Sequence, residues 1–174
     1  HYMAKEIHDE PKAIRATMDS YLSEDGEIDL SKFGMTVEEI QSLEHIYIAA
    51  CGSAYHVGVV GQYVIEEMAN IPVRVELASE FRYRKSPLIK NSLLVVISQS
   101  GETADTIAAL KECKGRGARV LSIVNVVGST IAKLSDHVIY TWAGPEIAVA
   151  TTKGYTTQVA VLDMLALYLA DRKG

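Results

Sequence analysis

The sequence predicts an open, doubly wound α/β fold, with parallel strands covered by helices on both faces. Three observations point there. Short β-rich apolar runs alternate with helical patterns along the chain. The runs are continuously apolar rather than alternating, as in strands buried on both sides of a sheet. Small and hydroxyl residues recur just after the runs, at the carboxyl ends where such sheets bind ligands.

The strand candidates are HIYIAA (45–50), PVRVELA (72–78), SLLVVIS (92–98), ARVLSIVN (118–125) and HVIYTWA (137–143). Residues 55–69 read as a helix with Val59, Tyr63 and Met68 near one face. Residues 103–114 read as a second helix that groups Ile107, Leu110 and Cys113, with Gly115 and Gly117 as stop signals. A short helix is expected over 129–135, and a long apolar one over 154–170. The order is β-α-β-α-β and onward, and right-handed crossovers then wind the sheet in both directions. Before the first strand, residues 2–22 look helical, interrupted or bent at Pro11. A loop (23–34) and a short helix (36–43) capped by Thr36 follow. The expected organisation is a helical arm over 1–44, a domain over 45–170 and the start of a linker over 171–174.

Size and composition agree with one domain. The chain has 174 residues, against a prior of about 150 per domain. Hydrophobic residues make up 48%, enough for one sizeable core. The net charge of −5 gives no electrostatic reason to expect nucleic acid. The one dense basic stretch, FRYRKSPLIK (81–90), reads as a solvated loop. No apolar run approaches the ~18 residues of a membrane span, and no signal peptide opens the chain. The two cysteines, Cys51 and Cys113, form no metal or disulfide pattern and fit a reducing, cytoplasmic compartment. The chain starts at His1 rather than Met, which reads as a piece of a longer protein.

The function is sought at the strand ends. SQSGET (98–103) lies between a strand and a helix and carries Ser98, Gln99, Ser100 and Thr103 around Gly101. Unpaired N–H groups at a helix start carry partial positive charge. Hydroxyls add donors, and glycine lets an anion come close, so the loop can cradle a phosphate without lysine or arginine. Plain capping by Ser100, with Thr103 supporting the first turn, is the alternative, but capping alone explains Ser100 and leaves Ser98, Gln99 and Thr103 unexplained together. In CGSAY (51–55), Ser53 either meets a sugar hydroxyl or caps a helix, and Cys51 reads as a buried strand end rather than a nucleophile. NVVGST (125–130) reads as a turn and cap, and Lys153 in ATTKGYTTQ as a structural or exposed lysine. His56 is expected to be partly buried at a helix start, and Glu102 to serve the helix dipole rather than act as a base. No histidine pair has helical metal-site spacing, and no GxGxxG follows the first strand. We therefore expect no metal and no cofactor.

CGSAY, VELASEFRYR (75–84), SQSGETADT (98–106), NVVGST and GPEIAVATTKGYTTQ (144–158), in this order, resemble the isomerase half of the glutamine–fructose-6-phosphate aminotransferases, and specifically its first sugar isomerase (SIS) module. HYMAKEIHDEP resembles the segment that enters that half. The resemblance implies a flavodoxin-like sandwich with a five-stranded parallel sheet. It implies that Ser98, Gln99, Ser100 and Thr103 hold the phosphate and nearby sugar oxygens, that Ser53 contacts the sugar, and that Val149 and Thr151 line the site. Ala54 departs from the family, where a sugar-contacting serine is common. Family members make glucosamine 6-phosphate from fructose 6-phosphate and glutamine. By the same resemblance, the isomerase base, the ring-opening histidine and the Schiff-base lysine belong to a second module and its tail, so no catalytic residue is expected here. The implied partners are fructose 6-phosphate or glucosamine 6-phosphate, a glutaminase domain and a second SIS module; a homodimer is also expected. The competing readings are a stand-alone sugar-phosphate isomerase, a sugar-phosphate sensor of a transcription regulator and a flavodoxin-like electron carrier.

Overall fold

The computed structural model describes residues 1–31, 34–84, 88 and 90–174. Parts of two expected loops, Lys32 and Phe33 in 23–34 and Lys85, Ser86, Pro87 and Ile89 in 81–90, lie outside the described residues.

All five strands fall where the apolar runs are: β1 (His45–Ala50), β2 (Val73–Leu77), β3 (Ser92–Ser98), β4 (Arg119–Val124) and β5 (His137–Tyr140). They form one parallel sheet in the order β2-β1-β3-β4-β5. That is the flavodoxin-like order, whose direction of winding reverses between β1 and β3. The strands are two-faced, as their continuous apolar character requires. Ile46, Ile48, Leu93, Val95, Ile97, Leu121 and Ile123 face one core. Tyr47, Ala49, Leu94, Val96, Val120 and Val124 face the other. Burying a side chain such as Ile48 or Ile97 contributes about 1.5–3 kcal/mol relative to exposure.

The helices divide between these faces. α2 (Val37–Gln41), α3 (Ser53–Ala69) and α7 (Lys153–Lys173) pack on the first core. α4 (Ala78–Phe81), α5 (Ala104–Gly115) and α6 (Thr130–Leu134) cover the second. α2 begins with a complete capping box: Glu39 N–H donates to Thr36 Oγ1, and Thr36 N–H donates to Glu39 Oε2.

Four features differ from expectation. α1 (Tyr2–Asp19) runs unbroken through Pro11. The buried side of α3 is Val57, Gly58, Gly61, Ile65 and Ala69, whereas Tyr63 and Met68 are exposed. Glycine sets that choice, because it lets α3 come close to its neighbours. A Cβ on Gly61 would stand 2.4 Å from Leu162 Cδ1, and one on Gly58 2.9 Å from Ile48 Cγ2. β2 and β5 are shorter than the apolar runs, and Ala78 opens the unforeseen α4. α7 continues past residue 170 to Lys173.

The arm is tied into the sheet. α1 lies on α7, and the chain after it reaches the outer edge of β5. The Tyr21 hydroxyl donates to Tyr140 O at 2.7 Å and accepts from Tyr140 N–H at 2.8 Å. Thr17 Oγ1 donates to Thr141 O. Burial raises the Tyr21 phenol above its ordinary range, so it stays protonated and keeps the donor that this bridge needs. Among the described residues no helix is long and apolar enough to cross a membrane.

Candidate functional site

Reversal of winding between β1 and β3 sends α3 and α5 to opposite faces, which leaves a crevice above the carboxyl ends of the two strands. A hollow of about 270 Å³ lies there, lined by Cys51, Ser53, Ala54, Ile97, Ser98, Gln99, Ser100, Thr103, Glu146, Ala148, Val149, Thr151 and Gln158. All seven residues expected at the site — Ser53, Ser98, Gln99, Ser100, Thr103, Val149 and Thr151 — thus meet at one place.

The SQSGET loop is built by its own hydroxyls. Ser98 Oγ, at the buried end of β3, accepts from Gly101 N–H at 3.0 Å and shares a hydrogen bond with Thr103 Oγ1 at 2.9 Å. Ser100 Oγ accepts from Glu102 N–H at 3.2 Å and is exposed. The capping alternative for Ser100 fails: the N-cap of α5 is Thr103, and no side chain caps the helix. As at any helix start, the first-turn N–H groups have no intrahelical partner, and they follow directly on Thr103 of the hollow's lining. Proton counting leaves one hydroxyl proton of the Ser98–Thr103 pair and the proton of Ser100 available to a ligand. Gly101 has φ of +67°, and a Cβ there would lie 2.1 Å from Ser129 Oγ, so no other residue fits.

The loop is latched to its neighbour on the far side. Glu102 Oε1 accepts from Thr130 N–H at 2.7 Å, and Gly101 O accepts from Ile131 N–H at 3.0 Å. The Thr130 N–H holds the Glu102 carboxyl below its ordinary range. Glu102 thus serves the dipole of α6, not α5, and points away from the hollow. Asn125 is structural: Oδ1 accepts from Ala143 N–H at 2.8 Å and Nδ2 donates to Gly144 O at 2.8 Å. Ser129 takes the N-cap position of α6 without a side-chain bond, its Oγ buried beside Gly101.

The remaining residues separate by exposure. Ser53 opens α3 and is exposed, and Ala54 leaves a methyl where a hydroxyl would meet the hollow. Val149 stands on the rim with its side chain wholly exposed. Cys51 is half-buried, 3.8 Å from Thr106 Oγ1. Lys153 is buried, pairs with Asp9 Oδ2 at 3.6 Å and lines a neighbouring cavity under α1. His56 is exposed, its ring against Tyr55 rather than in the crevice, contrary to the partial burial expected.

Four lining residues were missed from sequence: Ile97, Glu146, Ala148 and Gln158. Glu146 is the most informative. Its Oε1 accepts from the N–H groups of Thr152 at 2.8 Å and Gly154 at 3.1 Å, and its Oε2 from Thr151 Oγ1 at 3.0 Å. On the other side of the same loop, buried Glu6 of α1 accepts from Ile147 N–H at 2.6 Å and Ala148 N–H at 3.3 Å. An acidic residue just ahead of a helix start was the available signal for Glu146.

Fold and site together define a doubly wound α/β domain whose hollow opens at the switch point and is lined by hydroxyls, amides and one carboxylate, with no basic side chain among the lining residues described. The model of one family, described as the SIS domain, matches residues 39–168. The chain belongs to the SIS domain family. It is 56% identical over 173 residues to a glutamine–fructose-6-phosphate aminotransferase [isomerizing] of Clostridium acetobutylicum, covering 99% of this chain and 28% of the relative. It is 56% identical to the protein of that name from Caldanaerobacter subterraneus subsp. tengcongensis, covering 100% of this chain and 29% of the relative. Among solved structures it resembles the C-terminal domain of glucosamine-fructose-6-phosphate aminotransferase from Francisella tularensis, with a TM-score of 0.95 and 43% identity over 99% of this chain and 49% of that one. The chain thus spans under a third of the length of these sequence relatives.

Proposed function

We propose that the hollow binds a sugar phosphate, with the phosphate on the SQSGET loop and the sugar toward Ser53, Val149 and Thr151. The observation that carries this reading is the loop at the uncapped start of α5, where Ser98, Gln99, Ser100 and Thr103 line the hollow with neutral hydroxyl and amide donors. Charge-assisted hydrogen bonds from such donors are short and strong, and a preformed loop spends little entropy on ordering.

In the longer protein this chain acts as the first SIS module of an enzyme that makes glucosamine 6-phosphate from fructose 6-phosphate and glutamine. The similarity to aminotransferases over the whole of this chain supports that assignment. A glutaminase domain, a second SIS module and a second copy of the parent chain are its proposed partners. The free thiols Cys51 and Cys113 fit a cytoplasmic setting. Among the described residues no histidine or lysine lines the hollow, and its one carboxylate, Glu146, has donors on both oxygens. The module accordingly holds and orients the sugar phosphate, and the proton transfers of isomerisation fall to groups elsewhere in the parent.

Calorimetry with fructose 6-phosphate, glucosamine 6-phosphate and fructose tests the reading. Binding of the phosphates, with at least tenfold weaker binding of fructose, is expected. Equal affinity for fructose and its phosphate would overturn it. The chain alone, given ammonia and fructose 6-phosphate, is expected to form no glucosamine 6-phosphate.

A further inference from the structure

We infer that Glu146 is a positioning residue that fixes Thr151 as a hydrogen-bond acceptor toward the bound sugar, so that the sugar group read by Thr151 must be a donor. The inference rests on the sugar-phosphate reading of the hollow.

It follows from counting protons. The Glu146 carboxylate is a partner of no ion pair found among the described residues; the nearby Lys153 is taken by Asp9. Neutral donors hold it instead: the N–H groups of Thr152 and Gly154 on Oε1, Thr151 Oγ1 on Oε2 at 3.0 Å, and a longer contact from Thr152 Oγ1 at 3.4 Å. A carboxylate can only accept. Thr151 has one hydroxyl proton, and Glu146 takes it. What Thr151 presents to the hollow is therefore lone pairs. The arrangement has little room to turn. A Cβ on Gly154 would lie 2.6 Å from Glu146 Oε2, 2.9 Å from Thr151 Oγ1 and 3.2 Å from Gln99 Cγ. Carboxylate, hydroxyl and the SQSGET loop are thus packed around one backbone atom. Glu6 braces the other side of the loop through Ile147 and Ala148.

The substitution Glu146→Gln inverts this polarity. The two backbone N–H groups can only donate, so they keep the amide oxygen. The amide nitrogen then replaces Oε2 and donates to Thr151 Oγ1. Thr151 must accept from it and turn its own proton into the hollow, against the donor on the sugar.

The test is titration of fructose 6-phosphate and inorganic phosphate into the 174-residue chain and its variants, followed by calorimetry and by amide NMR shifts. Thr151→Val should weaken fructose 6-phosphate about three- to tenfold, the value of one neutral hydrogen bond. Thr151→Ser should bind like the parent. Glu146→Gln should weaken it at least as much as Thr151→Val, and should add nothing in the Thr151→Val background. Inorganic phosphate should bind Glu146→Gln no more weakly than the parent, because a negative charge is removed. Additive losses, or a Glu146→Gln chain that binds fructose 6-phosphate normally, would overturn the inference.

A ligand-side measurement needs no change at Glu146. Sugar hydroxyls are replaced one at a time by hydrogen or by fluorine, which accepts weakly and cannot donate. The position read by Thr151 is the one whose replacement has no effect in Thr151→Val. There, fluorine should weaken binding as much as hydrogen does, and a fluoro analogue that binds like the parent sugar overturns the inference. Absence of any fructose 6-phosphate binding by the parent chain is a separate result, which defeats the site reading and with it this inference.

Discussion

Ser98 and Ser100 stand two residues apart in one loop and do different work. Ser98 is buried and accepts the Gly101 N–H, so its hydroxyl shapes the turn. Ser100 is exposed and, among the described residues, accepts from the nearby Glu102 N–H. Ser98→Ala would strand the Gly101 N–H and is expected to cost about 1–3 kcal/mol of stability as well as ligand affinity. Ser100→Ala is expected to cost affinity with under about 0.5 kcal/mol of stability. Melting temperature and sugar-phosphate affinity, measured on both single variants, separate the two roles; equal losses of stability would contradict the assignment. Sequence alone could gather the hydroxyls of this loop, because strand, glycine and helix start are local signals. It could not divide their labour, since that depends on which oxygen faces the turn. Glu6 was illegible for a related reason. The loop that Glu6 holds lies more than 140 positions away, and nothing in the local pattern of α1 marks that residue as other than a surface acid.

At the scale of elements, the apolar runs carried the strand positions and their parallel pairing, because a strand buried on both faces leaves a continuous signature; the flavodoxin-like arrangement was implied by the resemblance alone. Helix faces were harder to read. On α3 the large side chains Tyr63 and Met68 suggested a buried stripe, yet the helix turns its glycines inward. Close approach to Leu162 outweighs the area that those side chains would bury. Gly61→Ala would force a methyl into Leu162 and is expected to lower stability by about 1–3 kcal/mol, as overpacking of a filled core does. Chemical denaturation tests this. A neutral result would mean that α3 and α7 can separate without loss. α4 is only four residues long, too short to show a helical period, and so it went unforeseen. The helical reading of 2–22 held in outline, but the break at Pro11 did not materialise. Loss of one internal hydrogen bond is compatible with a helix that leans on α7.

For the whole molecule, two carboxyls set opposite pH trends. Burial pulls the Asp136 carboxyl up, but Lys114 and the Val120 N–H prevail and hold it below the ordinary 3.8. Its contribution to stability is complete above 3.8 and is lost as pH falls through the lower folded value. Asp163 on α7 is raised by burial beside an apolar groove between α1 and α7. A raised acid penalises the folded state above its folded value and ceases to do so below 3.8. Asp163→Asn is therefore expected to stabilise the chain at pH 7, with the gain vanishing toward pH 3, and Asp136→Asn to destabilise it at pH 7, with the loss shrinking in acid. Melting curves of both variants across about pH 3–8 check the signs; a loss at neutral pH from Asp163→Asn would contradict the account.

The hydroxyl of Tyr21 has a further consequence. An open sheet has two outer strands, and each is a template on which another chain can polymerise. β2 is guarded by charge, with Arg74 and Arg84 around Glu76. β5 has no such charges among its four residues, HVIY, and its outward amide and carbonyl at Tyr140 are instead both engaged by one phenol. A group that adds a modest amount to the free energy of folding thereby also withholds one amide and one carbonyl of the edge from any incoming strand. Tyr21→Phe, which frees that amide and carbonyl, is expected to make the β5 edge more prone to strand addition, and light scattering of the variant against the parent at equal concentration checks it.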